Sequence, residues 1–478
     1  MRIWQTLTRH QSIEELQAQA GERREFPRVL GLGHLTAIGL GGIIGVGIFV
    51  LTGVVAAKDS GPAIVVSFIL AGIASAAAAL CYAEFASMIP VTGSTYAYSY
   101  AVLGEFPAWL IGWDFLLEYP LIVAVVAAGW SGYVQALMRS AGLRLPAWAQ
   151  GPTGSGAGHR FDLIAALVAL AITILLTIRT EWGARFNSTI VTIKVLGLVL
   201  VIAVGAFFLH PAYWHPFMPF GFHGVLAGAA VVFFAVFGYD TLTTAAEESK
   251  NPQHDLPWAV VISFAISMAL YLAVSLVLTG IVPYTTLDNA APVANAFSAI
   301  HLPWIMVVIS LAAITGITSV LFANLLAGAR IGFALSRDGL VPRWFSRVHP
   351  RFGTPYRTTL ILGTLTALVA GLFPLTTVAR LVNIGFLSAF IVICGAIILL
   401  RWTRPELPRR FRTPWVPWIP LIGMGFSGWL ISGLPDSTDW GFVAWIALGI
   451  AIYFGYGIRN SALAQKGRPD VAPGRSGG

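Results

Sequence analysis

The chain has 478 residues, 57% hydrophobic and only 10% charged, with a formal net charge of +8. A soluble globular chain carries about 25% charged residues. The mean hydropathy of +0.78 agrees, so the composition excludes an ordinary soluble domain and marks an integral membrane protein.

Residues 1–30 lack an apolar h-region and mix Glu14, Glu15, Arg23 and Arg24, which argues against a signal peptide. The run "SIEE" at 12–15 fits a capping box opening a short amphipathic surface helix. A membrane span needs about 20 apolar residues. Twelve such runs follow, at 33–56, 62–88, 104–137, 161–178, 186–209, 223–246, 257–282, 302–334, 357–374, 377–400, 415–433 and 441–458. They are continuous rather than alternating, which predicts an all-α protein and not a barrel. The stretch 459–478 has the Gly, Pro and charge content of a disordered tail. Cys81 and Cys394 lie in different apolar runs and read as small buried hydrophobes.

The basic residues orient the chain. With a cytoplasmic N-terminus and twelve spans, 23 of the 29 Lys and Arg fall on cytoplasmic segments or span ends. Only Lys58, Arg139, Arg144 and Arg160 fall outside the cell, while Lys194 and Arg380 lie within spans. This positive-inside asymmetry predicts a multi-pass protein of the cytoplasmic membrane with both termini in the cytoplasm. The absence of a basic patch interleaved with aromatics argues against nucleic acid as a partner.

A charge at the bilayer centre costs about 2.5–3.5 kcal/mol on insertion scales, so every intramembrane ionisable residue is a functional candidate. These are Asp114, Glu118, Lys194 and Asp240. Lys194 lies about 12 Å into the fifth span, too deep for easy snorkelling. Burial penalises an ammonium, which suits this lysine to proton exchange; the alternative is a permanent structural pair. Asp114 and Glu118 share one face of the third span at i, i+4. Asp114 reads as structural, and Glu118, just before Pro120, as a candidate for the substrate path.

Two spans are interrupted. The first contains "LGGIIGVGIFVLTG" at 40–53, with five glycines, although each glycine costs a helix interior about 0.5–1 kcal/mol. The sixth contains "FFAVFGYDTLTTAAEES" at 233–249, with Gly238 and Asp240 in apolar surroundings. If spans 1–5 and 6–10 are repeats of opposite topology, the interruptions correspond, which is the sequence pointer to a midplane transport site. Breaking a helix frees N–H groups suited to a carboxylate and carbonyls suited to an ammonium. The competing reading of the first stretch is packing through the Gly41–Gly45 G-x-x-x-G. A phosphate loop is disfavoured, because no G-K-[ST] follows.

With "GGIIGVGIFVLTG", "GSTYAYSYAVLGE", "LIGWDFLLEY", "FFAVFGYDTLTTAAEESKNPQHDLP", "ARIGFALSRDGLVP" and "RPELPRRFRTP" in that order, residues 10–458 resemble the amino acid–polyamine–organocation transporters. They resemble especially the cationic amino acid transporter branch and its bacterial relatives. The resemblance implies a ten-helix transport core at 31–400 with a 5+5 inverted repeat and discontinuous helices 1 and 6. Helices 11 and 12 would follow at 401–458. It implies that the substrate carboxylate meets the backbone at Gly45, Val46 and Gly47. The ammonium would meet carbonyls near Ile43 and from Phe234 through Val236 to Phe237, with Phe234 as an aromatic gate. Asp240 and Glu118 join this candidate site. Lys194 matches the position that replaces a sodium ion in proton-coupled relatives, with Thr318 and Ser319 expected near it. Val46 replaces a small hydroxyl residue of many relatives, and Asn324 replaces an apolar one where side-chain selectivity is set.

The function expected is a proton-coupled L-amino acid symporter, acting as a monomer without cofactor or metal. Exchange and polyamine transport on the same fold are the alternatives. A channel lacks its continuous polar stripe, a sensor its soluble domain, and an enzyme its nucleophile–base cluster. Small neutral and cationic amino acids both fit the backbone chemistry.

Overall fold

The computed structural model describes residues 30–89, 94–178, 184–243, 246–352 and 354–466. The capping box at 12–15, the N-terminal surface helix and the tail beyond 466 lie outside the described residues. Among the described residues, eight helical stretches are long and apolar enough to cross a membrane: Gly47–Met88, Glu105–Ser140, Ser188–Phe208, Gly221–Thr243, Pro252–Ile281, Pro303–Arg337, Leu375–Thr403 and Asp436–Ala464. Four more apolar helices, Leu32–Ile43, Leu163–Ile178, Tyr356–Leu372 and Trp418–Ile431, are shorter. Leu167, Leu196, Leu311 and Trp418 are each more than half exposed. Apolar residues thus cover outward helix faces as well as the core, as a lipid solvent requires.

In chain order the helices that matter below are α1 (Leu32–Ile43), α2 (47–60), α3 (Ile64–Met88), α4 (Ser94–Val102) and α5 (Glu105–Ser140). Then come α6 (Leu163–Ile178), α7 (Ala184–Gly205), α8 (Gly221–Val232), α9 (Asp240–Thr243) and α10 (Pro252–Ile281). The series closes with α11 (Pro292–Ala299), α12 (Pro303–Arg337), α13 (Tyr356–Leu372), α14 (Leu375–Thr403), α15 (Trp418–Ile431) and α16 (Asp436–Ile452). Proline opens α10, α11 and α12, where its missing N–H has no helical acceptor to lose. The most extensive packing pairs α5 with α12, α3 with α10 and α6 with α13.

Three local features differ from the sequence reading. A two-stranded hairpin, Gln150–Gly151 with Phe161–Asp162, occupies the start of the fourth apolar run. The short helices α4 and α11 are additional. Residues 459–466, read as disordered tail, are instead helical at Ala462–Lys466 and docked. Ser461 Oγ accepts from the N–H of Ala464 (3.1 Å) and donates to Glu105 Oε2 (2.9 Å), while the N–H of Ala462 donates to Asp338 O (2.9 Å). A polar cap and buried acceptors override a tail-like composition here.

The motif "RPELPRRFRTP" at 404–414 is fixed by one buried carboxylate. Glu84, fully buried near the end of α3, accepts from Arg401 Nε (2.9 Å) and Nη2 (2.7 Å) and from the N–H of Thr413 (2.8 Å). Arg409 Nε lies 3.2 Å from the same carboxylate, with its side chain 3% exposed. Removing one partner of a buried ion pair costs about 3–5 kcal/mol because the other charge stays buried. Glu84→Met is therefore expected to lower the thermal midpoint in detergent. The triple replacement of Glu84, Arg401 and Arg409 by Met should be less destabilised than Glu84→Met alone; equal midpoints for wild type and Glu84→Met would contradict this.

Candidate substrate site at two interrupted helices

The glycine-rich stretch breaks where the sequence places the break. α1 ends at Ile43, Ile44 is extended (φ −78, ψ 100), and helix resumes at Gly47 after Val46 has turned back to αR. In the second interruption α8 ends at Val232. One 3₁₀ turn, Phe233–Ala235, follows, and Gly238 at φ +109 precedes α9. That φ is open to glycine and strained for other residues.

The two interruptions touch. A Cβ on Gly42 would meet Gly238 O and Thr241 Oγ1 at 2.5 Å, and one on Gly238 would meet Gly42 O at 2.6 Å. A Cβ on Gly47 would collide with Ala235. Glycine thus does two jobs: it lets α1 leave helical geometry, and it brings the broken backbones into contact.

Much of the freed backbone has a side-chain partner. Lys194 on α7, fully buried, donates from Nζ to Gly41 O (2.9 Å) and Ile44 O (2.8 Å), and lies 3.5 Å from Ser319 Oγ. Gly316 provides room for its stem, since a Cβ there would come within 2.7 Å of Lys194 Cβ. Tyr271 Oη donates to Ile43 O (2.8 Å), Ser75 Oγ to Val236 O (2.5 Å) and Tyr133 Oη to Phe49 O (2.7 Å). Asn383 Nδ2 reaches Ala230 O (2.6 Å) and Val231 O (3.0 Å) at the end of α8. A carbonyl has two lone pairs, so these single hydrogen bonds leave Ile43 O and Val236 O room for a second donor. The first N–H groups of the resumed helix, from Gly47 onward, have no intrahelical acceptor.

The remaining candidates divide. Val46 packs its side chain against Gly129 of α5, so its backbone rather than its side chain faces inward. Gly45 sits against Val320 of α12, one turn from Asn324, whose Nδ2 donates back to Val320 O (2.9 Å). The Phe234 ring meets Phe237 edge-on at 5.4 Å, and Phe237 stacks on Phe386 of α14 at 4.2 Å. Thr318 does not join Lys194: its hydroxyl accepts from Trp130 Nε1 (3.0 Å). Successive helix residues point about 100° apart, so Ser319 and Thr318 cannot both face one ammonium.

Asp114 and Glu118 lie together against Gly385 of α14, where a Cβ would collide with the Glu118 carboxyl and approach Asp114 Oδ2 to 2.6 Å. Glu118 is buried, and among the described residues neither of its oxygens is within hydrogen-bond geometry of a partner. Asp240 Oδ2 accepts from Tyr119 Oη (2.7 Å) at the start of α9. The acids thus form a separate group beside the Phe237–Phe386 stack. Tyr271, Ser75, Tyr119 and Asn383 were missed by a search restricted to charges. A uniform search for polar groups inside apolar runs finds them.

Helices with contacting interruptions, buried backbone groups turned to a shared interior and apolar outer faces define a membrane permease. The chain matches the amino acid permease family over residues 30–458 and belongs to it. It is 46% identical over 458 residues to a methylthioribose transporter of Bacillus subtilis, covering 96% of this chain and 99% of that one. Identity to a branched-chain amino acid permease of the same organism is 43% over 460 residues, with the same coverage. A vacuolar cationic amino acid transporter of Arabidopsis thaliana is 38% identical over 389 residues, 80% of this chain and 64% of that one. These relatives are transporters and not enzymes.

Replacing Gly238 by Ala forces a Cβ into a strained φ and onto the Gly42 carbonyl. If the unliganded segment relaxes out of the binding geometry, strain of about 1–3 kcal/mol corresponds to roughly 5- to 150-fold weaker substrate binding. Binding isotherms on purified Gly238→Ala and wild-type protein check this, and equal affinities would contradict it.

Proposed function

We propose that this chain is a proton-coupled L-amino acid symporter of the cytoplasmic membrane. It works as a monomer by alternating access, in the twelve-span, 5+5 inverted-repeat arrangement with both termini in the cytoplasm. The contact between the two interruptions at Gly42 and Gly238 carries the reading. The pairing of α3 with α10, α5 with α12 and α6 with α13 supports the repeat, because each is a partnership of span n with span n+5.

The substrate carboxylate is bound by the N–H groups of Gly45, Val46 and Gly47, at the positive end of the resumed helix. The ammonium is bound by carbonyls of the segment from Phe234 to Phe237, with the second lone pair of Ile43 O. Phe234 closes over the bound molecule, and Asn324 and Val320 shape the pocket for its side chain. Lys194 couples the proton. Its ammonium ties the end of α1 to α7 through the Gly41 and Ile44 carbonyls. Loss of the proton removes a donor and the charge, which releases that end of α1 to move. A fixed ammonium beside Ser319 also occupies the place where a sodium ion would bind, so sodium dependence is not expected.

Lys194→Met tests the coupling. In proteoliposomes, proton-driven accumulation is expected to fall to simple equilibration while counterflow exchange persists. Unchanged accumulation would overturn the role of Lys194. Wild-type protein that exchanges but does not accumulate under a pH gradient would favour an antiporter.

One of the two Asn324 Nδ2 N–H groups is committed to its own helix, and the acids stand beside the Phe237–Phe386 stack. We infer a neutral apolar side chain as the preferred cargo. In a thermal-shift series of the twenty amino acids with methylthioribose and putrescine, leucine-like compounds should give the largest stabilisation. At a hundredfold excess over Kd a ligand adds about 2.7 kcal/mol. A larger response to arginine or lysine would contradict the apolar preference. A response to methylthioribose alone would favour the second reading, a methylthio sugar, suggested by the relative of that name.

A further inference from the structure

Away from the interrupted helices, the end of α5, the helix α11 and the start of α12 enclose an open groove of about 530 Å³. Arg139, Ser140, Ser298 and Trp304 are among its lining residues. Arg139 is exposed, and Arg144 is near enough to repel it. Among the described residues neither guanidinium forms an ion pair, whereas Lys58, on the same proposed side, pairs with Asp288 at 2.9 Å.

The two arginines run against the charge bias of the chain. Basic residues concentrate on the proposed cytoplasmic side, and only four fall outside the cell. Topology therefore does not explain Arg139 and Arg144; it disfavours them. Their surroundings suit an anion. α12, 35 residues long, begins at Pro303, and the N–H groups of Ile305 and Met306 turn back to Leu302 O. The N–H of Trp304, in the first turn, has no acceptor within its helix. The positive end of the α12 dipole thus opens on the groove beside the guanidinium. The hydroxyls of Ser140 and Ser298 line the same space; Ser140 Oγ donates to Leu137 O at 2.8 Å and so keeps its acceptor side outward.

The groove is also built for a hydrocarbon. Trp304 (62% exposed), Val308 (42%) and Leu311 (52%) follow one another along one face of α12, running from the groove toward the middle of the helix. Tryptophan at the edge of such a face marks a headgroup level. A cation cluster at that level with an apolar track below it matches a molecule anionic at one end and aliphatic at the other.

We propose that this groove holds an anionic phospholipid, its phosphate on Arg139 with Arg144 alongside, and an acyl chain along Trp304, Val308 and Leu311. The outer leaflet follows from the proposed topology; the site itself does not depend on the transport mechanism. Guanidinium recognises a phosphate through paired charge-assisted hydrogen bonds, and the helix end and Ser298 add donors on its other side.

Native mass spectrometry of the full chain, released from detergent mixed with phosphatidylglycerol or phosphatidylcholine, tests this. Wild-type protein should retain phosphatidylglycerol preferentially. Arg139→Gln with Arg144→Gln should weaken that retention by about tenfold or more, the scale of a hydrogen bond to a charged group, while phosphatidylcholine retention stays unchanged. Arg160→Gln, outside the groove, should behave as wild type, and Arg139→Lys should fall between. Undiminished phosphatidylglycerol retention in the double variant would overturn the proposal. Inorganic phosphate provides a second arm: thermal stabilisation that equals that of phosphatidylglycerol and disappears in the double variant would assign the groove to free phosphate and overturn the lipid. Thermal midpoints of the variants without added ligand should match wild type, so that lost retention reports the site rather than the fold.

Discussion

A helix interrupted inside a bilayer must satisfy its freed backbone without water. In this chain that constraint falls first on the carbonyls at the end of α1, and one buried ammonium meets two of them: Lys194 holds Gly41 O and Ile44 O together. The lysine is itself tolerable only because those carbonyls and Ser319 surround it. Break and charge are each costly alone and compatible together. Other features follow from the same need. Tyr271 covers Ile43 O, Ser75 covers Val236 O, and Asn383 covers the end of α8, each from a helix that packs beside an interruption.

This arrangement joins structure to transport. The interrupted segments touch through Gly42 and Gly238, so movement at one is felt at the other. The donors that hold them come from α3, α7, α10 and α14, elements distributed around the interior. In the proposed coupling, loss of the Lys194 proton would alter two of these tethers at once. The Glu84 cluster is different in kind, since its carboxylate is saturated by two arginines and a backbone N–H and it pins the segment after α14 to α3. One buried ionic group is suited to change, the other to permanence.

The sequence made the interruptions legible because glycine and aspartate violate what a membrane helix needs, and such violations need a cause. Lys194 was legible for the same reason. Tyr271 and Ser75 were not, because a tyrosine or a serine in an apolar run is equally consistent with packing. Their roles depend on which carbonyl lies opposite, which the linear pattern does not carry. The family resemblance puts Thr318 with Ser319 near Lys194, whereas helical geometry separates them and gives Thr318 to Trp130. Residues 459–466 read as tail because composition alone does not register that Ser461 finds a buried carboxylate in Glu105. Membership of the amino acid permease family was legible in the ordered motifs, which span most of the chain.

In the proposed mechanism the two interruptions form one site, with donors from the first and acceptors from the second. A cryo-electron microscopy structure in lipid nanodiscs with bound leucine tests it most directly. The carboxylate should lie within hydrogen-bond distance, about 2.7–3.2 Å, of the N–H groups of Gly45 to Gly47. The ammonium should lie among the carbonyls of Phe234 to Phe237, with Lys194 still on Gly41 and Ile44. Leucine bound elsewhere, or its carboxylate held by a side chain while those N–H groups face protein, would contradict it.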